Sequence, residues 1–223
     1  MRARQAVSAI AVAAVLAGVP GGADSEEGKR SALPGRTYSW TFAADTLGLP
    51  PQNTRAAGGT WAVLEDSSAA SAAVRIVRQL ESDDGIASHA LQFLKPSLAD
   101  QEVSVRVRIR SGDIDPSVGV AFQLDPRGRN GYLIRVSGRS RELLAHYLLG
   151  GRRRDLKYVR LDPPRQGEWH TLGVRRIGSV MEVRYDGEVK MRLRDERFGS
   201  GNVGLWTEDD TVADFADLTV RSL

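Results

Sequence analysis

General acid–base chemistry needs carboxyl groups held at a fixed separation, and this chain offers few that its pattern can aim. Glu182 alternates out of the apolar set Met181, Val183 and Tyr185, which turns it away from a core and sets it beside Arg184. Asp125 closes the run that begins at Ser117 and is the partner for Glu182 if neighbouring segments bring the two together. Glu208-Asp209-Asp210 falls between two apolar runs and reads as a solvated turn, with a cation site or a ligand-binding loop as the alternatives. The three histidines, His89, His146 and His170, lie in three different segments without metal-ligand spacing. His170 shares parity with Leu172 and Val174, the pattern of a partly buried structural side chain. The chain has no cysteine, which excludes thiol catalysis, haem attachment and cysteine-based zinc sites. No Gly-x-Ser-x-Gly turn is present either.

Recognition chemistry is better represented. Trp40, Trp61, Trp169 and Trp206 are flat apolar surfaces, although in a β protein such rings usually fill the core. Trp206, two residues from Glu208, is the first candidate for ligand contact, followed by His146 and Tyr147. Arg106, Arg108 and Arg110 occupy alternate positions, and Arg135, Arg184 and Gln123 take outward positions elsewhere. On a single sheet these arginines make a basic surface suited to carboxylate or sulfate groups; apart, they serve solubility. Arg152-Arg153-Arg154-Asp155 follows Gly150-Gly151 and reads as an exposed hairpin tip.

The elements that must position these groups are strands. Val103, Val105, Val107 and Ile109 alternate with Ser104, Arg106, Arg108 and Arg110, the period of a half-buried antiparallel strand. Val118, Val120, Phe122 and Leu124 oppose Gly119, Ala121, Gln123 and Asp125 in the same way. Tyr132, Ile134 and Val136 oppose Leu133, Arg135 and Ser137. Asp186-Gly187 between two such runs marks a tight hairpin. Strands are expected over 38–42, 60–64, 73–78, 88–94, 102–110, 117–124, 131–137, 142–149, 157–161, 169–176, 179–185, 188–193, 202–207 and 212–220. No segment keeps a helical period over three turns. The pattern predicts an all-β domain, a large sandwich or barrel.

Arg2 and Arg4, the apolar run Ala6–Val19 and the small residues before Ala23 have the form of a secretory signal, residues 1–23. The run is too short to span a bilayer, so no membrane span is expected after cleavage. Residues 24–36 read as a flexible leader and 37–223 as the domain. Removing the signal lowers Lys+Arg from 31 to 29 against 28 Asp+Glu, leaving a net charge near +1 and no footprint of a nucleic-acid binder. The expected location is the periplasm or the extracellular space.

Several short motifs, in order, resemble a known family. Asn130-Gly131-Tyr132 opens one strand, Gly167-Glu168-Trp169-His170 another, Tyr185-Asp186-Gly187 makes a hairpin, and Gly201-Asn202-Val203-Gly204-Leu205-Trp206 precedes the last strand. With Trp40, Phe42 and Gly59-Thr60-Trp61 they resemble the 3-keto-disaccharide hydrolase-like domain, a laminin G-like branch of the concanavalin A-like superfamily. The resemblance implies a two-sheet antiparallel jelly-roll sandwich whose concave face holds sugars; the outward arginines extend the expected partner to anionic carbohydrate. It also implies a structural calcium near the terminal strands, for which Asp45, Asp214 and Asp217 supply oxygen ligands; no other cofactor is expected. Relatives carry Glu and Gln where this chain has Leu133 and Arg135, and the Glu-x-Asp-x-x-Glu pattern of retaining glycosidases is absent. Three functions stay open: a glycan-binding domain, a secreted glycoside hydrolase using Glu182 with Asp125, and a structural or protein-interaction domain.

Overall fold

The structure, a computed structural model, describes residues 35–66, 74–82, 88–162 and 164–223. The expected signal segment and most of the leader lie outside the described residues. Within them no helix is long and apolar enough to cross a membrane.

Fifteen strands form among the described residues. One sheet contains β1 (Thr37–Trp40), β3 (Trp61–Asp66), β4 (Val74–Gln79), β6 (Gln101–Ser111), β11 (His170–Ile177), β12 (Val180–Tyr185), β13 (Glu188–Arg194) and β15 (Val212–Ser222). Its order is β13-β12-β11-β6-β15-β4-β3, with β1 also on β15. The other contains β2 (Thr54–Ala57), β5 (Ser88–Leu98), β7 (Ser117–Leu124), β8 (Gly131–Ser137), β9 (Glu142–Leu149), β10 (Arg152–Arg160) and β14 (Gly201–Glu208), in the order β10-β9-β8-β7-β14-β5-β2. Every strand pair is antiparallel. This is a two-sheet jelly-roll sandwich.

The alternation read from the sequence decides what fills it. Val103, Val105, Val107 and Ile109 from β6 meet Val118, Val120 and Phe122 from β7 and Tyr132, Ile134 and Val136 from β8 in one core. Leu172, Val174, Met181, Val183, Phe215 and Leu205 complete it. Each such side chain contributes about 2 kcal/mol on leaving water.

The structure departs from the expectations at four places. Thr54–Ala57 forms a strand, β2, where none is expected. Arg152–Arg154 is not a hairpin tip: Gly150 and Gly151, both at positive φ, make the turn, and β10 starts at Arg152. Gln123 adopts φ 51° in a bulge between β7 and β14, so the parity shifts and Leu124 turns to the outer face. Arg106, Arg108 and Arg110 do point out of the core, but Arg108 is only 3 % exposed. It lies under the Trp169 ring (4.4 Å) and is paired to Asp66 (2.9 Å) and Asp214 (2.5 Å).

Candidate binding site on the concave face

The outer face of the seven-stranded sheet carries its own small apolar cluster, Ala121, Leu124, Leu133 and Trp206, with Ala90 and Leu148 against it. These are the residues that alternate away from the main core. The ladder sets Arg135 opposite Gly119 and Gly119 opposite Trp206, so one row runs Arg135, Gly119, Trp206, Ala90. Gly119 at the middle of this row lets the Arg135 side chain lie close over the backbone. An added Cβ at Gly119 would lie 2.7 Å from the Ile134 carbonyl oxygen and 3.1 Å from the Arg135 Cβ.

Charged groups converge over this space. Arg135 Nη1 lies 3.0 Å from Glu208 Oε2 and 3.1 Å from Asp115 Oδ2, and donates to Ser117 Oγ at 2.8 Å. Arg153 Nη1 reaches Glu208 Oε1 at 2.6 Å. That contact joins β10 to β14, four strands along the order. At about 4.8 Å per step a flat sheet would part them by about 19 Å, beyond the reach of an arginine and a glutamate together. The sheet therefore curls, and this face is concave. The guanidiniums of Arg135 and Arg153 flank the Trp206 ring at 5.9 and 5.5 Å from its centroid.

His146 joins the cluster as a neutral group. Arg135 Nε donates to His146 Nε2 at 3.3 Å, and a guanidinium has no lone pair to offer in return. His146 Nε2 is thus the acceptor, and its Nδ1–H donates to Asp155 Oδ1 at 2.8 Å. Burial, with the charges of Arg135 and Arg153, lowers the imidazole pKa to about 4, while Asp155 opposes the shift. Glu208 is displaced upward from the usual carboxylate range by burial, against the pull of Arg135 and Arg153. Desolvated charge on the solvent side of a sheet costs free energy unless it is paired; here both guanidiniums lie within 3.1 Å of a carboxylate, while Arg153 Nη1 and Glu208 Oε2 make no hydrogen bond. The result is a fixed array of donors and acceptors beside an apolar wall, with Asp155 and Arg153 reaching solvent.

Of the residues singled out in the sequence, Arg135, His146 and Trp206 come together here. Trp206 is only 4 % exposed, so it acts as a wall that holds two arginines rather than as an open stacking platform. Tyr147 faces the sandwich interior at its edge and is covered by Arg197 at 4.3 Å. Gln123 donates to the carbonyls of Ala99 (2.9 Å) and Gly199 (3.1 Å), away from the concavity, because of the bulge.

Glu182 and Arg184 lie on the other sheet, on its outer face, where Glu182 accepts from Arg184 Nε and Arg192 Nε at 3.0 Å each. Those two partners hold its carboxyl below the usual range. Asp125 closes its own loop by accepting from Arg129 N (2.8 Å) and Asn130 Nδ2 (2.6 Å). Its slight burial pushes the carboxyl up, but these bonds outweigh it and the net shift is downward. The two carboxylates expected to act as a pair thus stand on different sheets, each occupied.

The three aspartates expected to hold calcium are also separate. Asp45 accepts from Gln52 N at 2.8 Å, and Asp217 pairs with Arg106 at 3.1 Å. Asp214, with no exposure, is neutralised by Arg78 and Arg108. Among the described residues no three carboxylates or histidines converge as a metal site.

Asp115 is the member that the sequence pattern does not single out; Glu208, read there as a solvated turn or ligand-binding loop, instead ends β14 at 6 % exposure, and Arg153 and Asp155, read as a hairpin tip, lie in β10. Glu208 carried a usable signal, since it shares Trp206's parity on one strand. A roomier cleft of about 820 Å³ lies elsewhere, around Arg141, Asp162, His170, Tyr185 and Lys190. Its rim is of exposed, mutually paired charges such as Arg141–Asp162 (3.4 Å), without the buried cluster that marks the concave face.

No known protein-family model matches this chain, and no curated protein resembles it. Among solved structures it is similar to the carbohydrate binding module CBM66 from Bacillus subtilis, with a TM-score of 0.64 at 19 % identity over 76 % of this chain and 96 % of that one. It is similar to the exoplasmic/lumenal domain of VIP36 in a form bound to Ca2+ and Man3GlcNAc, with a TM-score of 0.57 at 13 % identity over 79 % of this chain and 86 % of that one. A Bacillus subtilis protein of unknown function with a galectin-like fold gives a TM-score of 0.58 at 12 % identity over 85 % and 97 %. At these identities the likeness is one of fold alone, a jelly-roll sandwich. The narrower resemblance to the 3-keto-disaccharide hydrolase-like domain has no family match behind it.

Proposed function

We propose that the protein is an exported carbohydrate-binding domain that takes a sugar on the concave face, at Arg153 and Asp155, the solvent-reaching members of the cluster built on Arg135, Glu208 and Trp206. The observation that carries this reading is the cluster itself. Buried, paired charge on the outer face of a sheet contributes little to stability compared with apolar packing. As a preorganised array whose Arg153 and Asp155 reach solvent it suits the hydroxyl edges of a sugar ring. The fold shared with CBM66 and with the glycan-bound VIP36 domain supports the same reading. Two guanidiniums meet three carboxylates (Glu208, Asp115, Asp155) around a neutral His146, so no positive charge is left over for an acidic sugar. The preferred ligand is therefore neutral. A glycan array probed with the domain is expected to return neutral glycans. Silence across neutral glycans, or a hit list of acidic ones alone, would overturn the reading.

A further inference from the structure

The triple-arginine run that opens β10 serves two faces. Arg153 and Asp155 turn into the concavity, and Arg152 and Arg154 turn to the other side of the same edge strand, both exposed. Arg154 lies opposite Tyr147, whose ring is covered by Arg197. Arg129 stands beside the Gly150–Gly151 turn, donating to the Gly150 carbonyl at 2.7 Å. Further along, Lys157 Nζ donates to the Arg192 carbonyl at 2.9 Å, which ties β10 to the edge of the opposite sheet.

Arg129, Arg152, Arg154 and Lys157 thus make a row along one side of the sandwich. Among the described residues none of the four has a carboxylate partner within ion-pair distance. From Arg152 to Lys157 the strand covers about 17 Å at about 3.3 Å per residue. Four cations without a carboxylate partner thus stand together on one edge.

We infer that this edge binds an anionic polysaccharide, carboxylated or sulfated, at a site separate from the concave one. Three of the four cations are arginines, whose planar fork matches carboxylate and sulfate oxygens two at a time. Tyr147, opposite Arg154, is covered by Arg197, and the exposed ring on this strand, Tyr158, alternates to the face opposite Lys157, so the row itself is of cations without an interleaved stacking ring. The partner's identity as a polysaccharide rests on the concave-face reading. One edge strand supplies both surfaces, so a polymer lying along β10 can meet the neutral pocket and the cationic row together.

The test is binding of the purified domain to polygalacturonate and chondroitin sulfate by biolayer interferometry at 50 and 300 mM NaCl. Poly-dT and phosphatidylglycerol vesicles serve as competing polyanions. The expected result is binding to the acidic polysaccharides that weakens about tenfold at the higher salt, as screened charges must. Arg152→Gln with Arg154→Gln should weaken it about fivefold or more while leaving the melting temperature and any neutral-glycan binding unchanged. No binding at 50 mM, equal binding by the double variant, or tighter binding to poly-dT or the vesicles would overturn the inference. Loss of neutral-glycan binding with acidic binding intact would instead count against the concave site alone.

Discussion

Arg135 and Glu208 meet at 3.0 Å across a strand that belongs to neither of them. The strand between them, β7, contributes Gly119 at the crossing point, and the missing side chain lets the guanidinium pass. Gly119→Val should therefore act twice. The added carbons would meet the Ile134 carbonyl and the Arg135 stem, at a cost of about 1–3 kcal/mol. They would also push Arg135 away from Trp206 and Glu208. Urea unfolding should show a lower midpoint with an unchanged slope. An unaltered midpoint would mean that the row tolerates bulk and that Gly119 is not shaping the site.

A second buried ion cluster stands on the outer face of the eight-stranded sheet. Asp214 has no exposure and accepts from Arg78 (2.5 Å) and Arg108 (2.9 and 2.5 Å). Asp214→Asn keeps the shape but removes the charge, leaving Arg108 with Asp66 as its carboxylate partner. The expected loss is about 3 kcal/mol, the low end for breaking a buried pair. Equilibrium urea denaturation measures it, and a change under about 1 kcal/mol would show that Asp66 alone suffices.

His146 gives the cluster a definite pH dependence. Its folded pKa of about 4 is below the ordinary 6.5, so the unfolded chain takes up the proton first as the pH falls. The contribution of His146 is complete above about pH 6.5 and is lost between there and about pH 4, about 3 kcal/mol over the full window. Glu208, shifted upward, acts in the opposite sense and gains stability as it protonates. Titration of the imidazole resonances should show His146 still neutral at pH 5.5, in the Nδ1–H tautomer. A midpoint near 6.5 would contradict the hydrogen bond from Arg135.

Much of the fold was legible because strand parity is a local property. Val103–Ile109, Val118–Phe122 and Tyr132–Val136 face the core as their alternation requires. Parity failed at Gln123, where one bulged residue with positive φ reverses the faces beyond it, and no local signal announces that. It also said nothing of which sheet a side chain joins. Arg135 and Arg184 look alike in the sequence, yet they stand on opposite outer faces. The pairing of Glu208 with Arg135 and Arg153 depends on strand order and sheet curvature, both set by contacts far apart in the chain. Glu182 and Asp125 stand out in the sequence for alternating away from the core, and each is held by near neighbours.

The central claim is that the concave cluster is where ligand binds. Isothermal titration with a neutral glycan recovered from the array tests it, comparing the parent with Arg153→Ala and Asp155→Ala. Both side chains reach solvent, with exposures of 31 % and 88 %, so the fold should survive their loss. An affinity at least about tenfold weaker in each variant is expected, the equivalent of about 1.4 kcal/mol, with the β-sheet circular dichroism of the parent retained. Parent-like affinity in both variants would place the ligand elsewhere and contradict the claim.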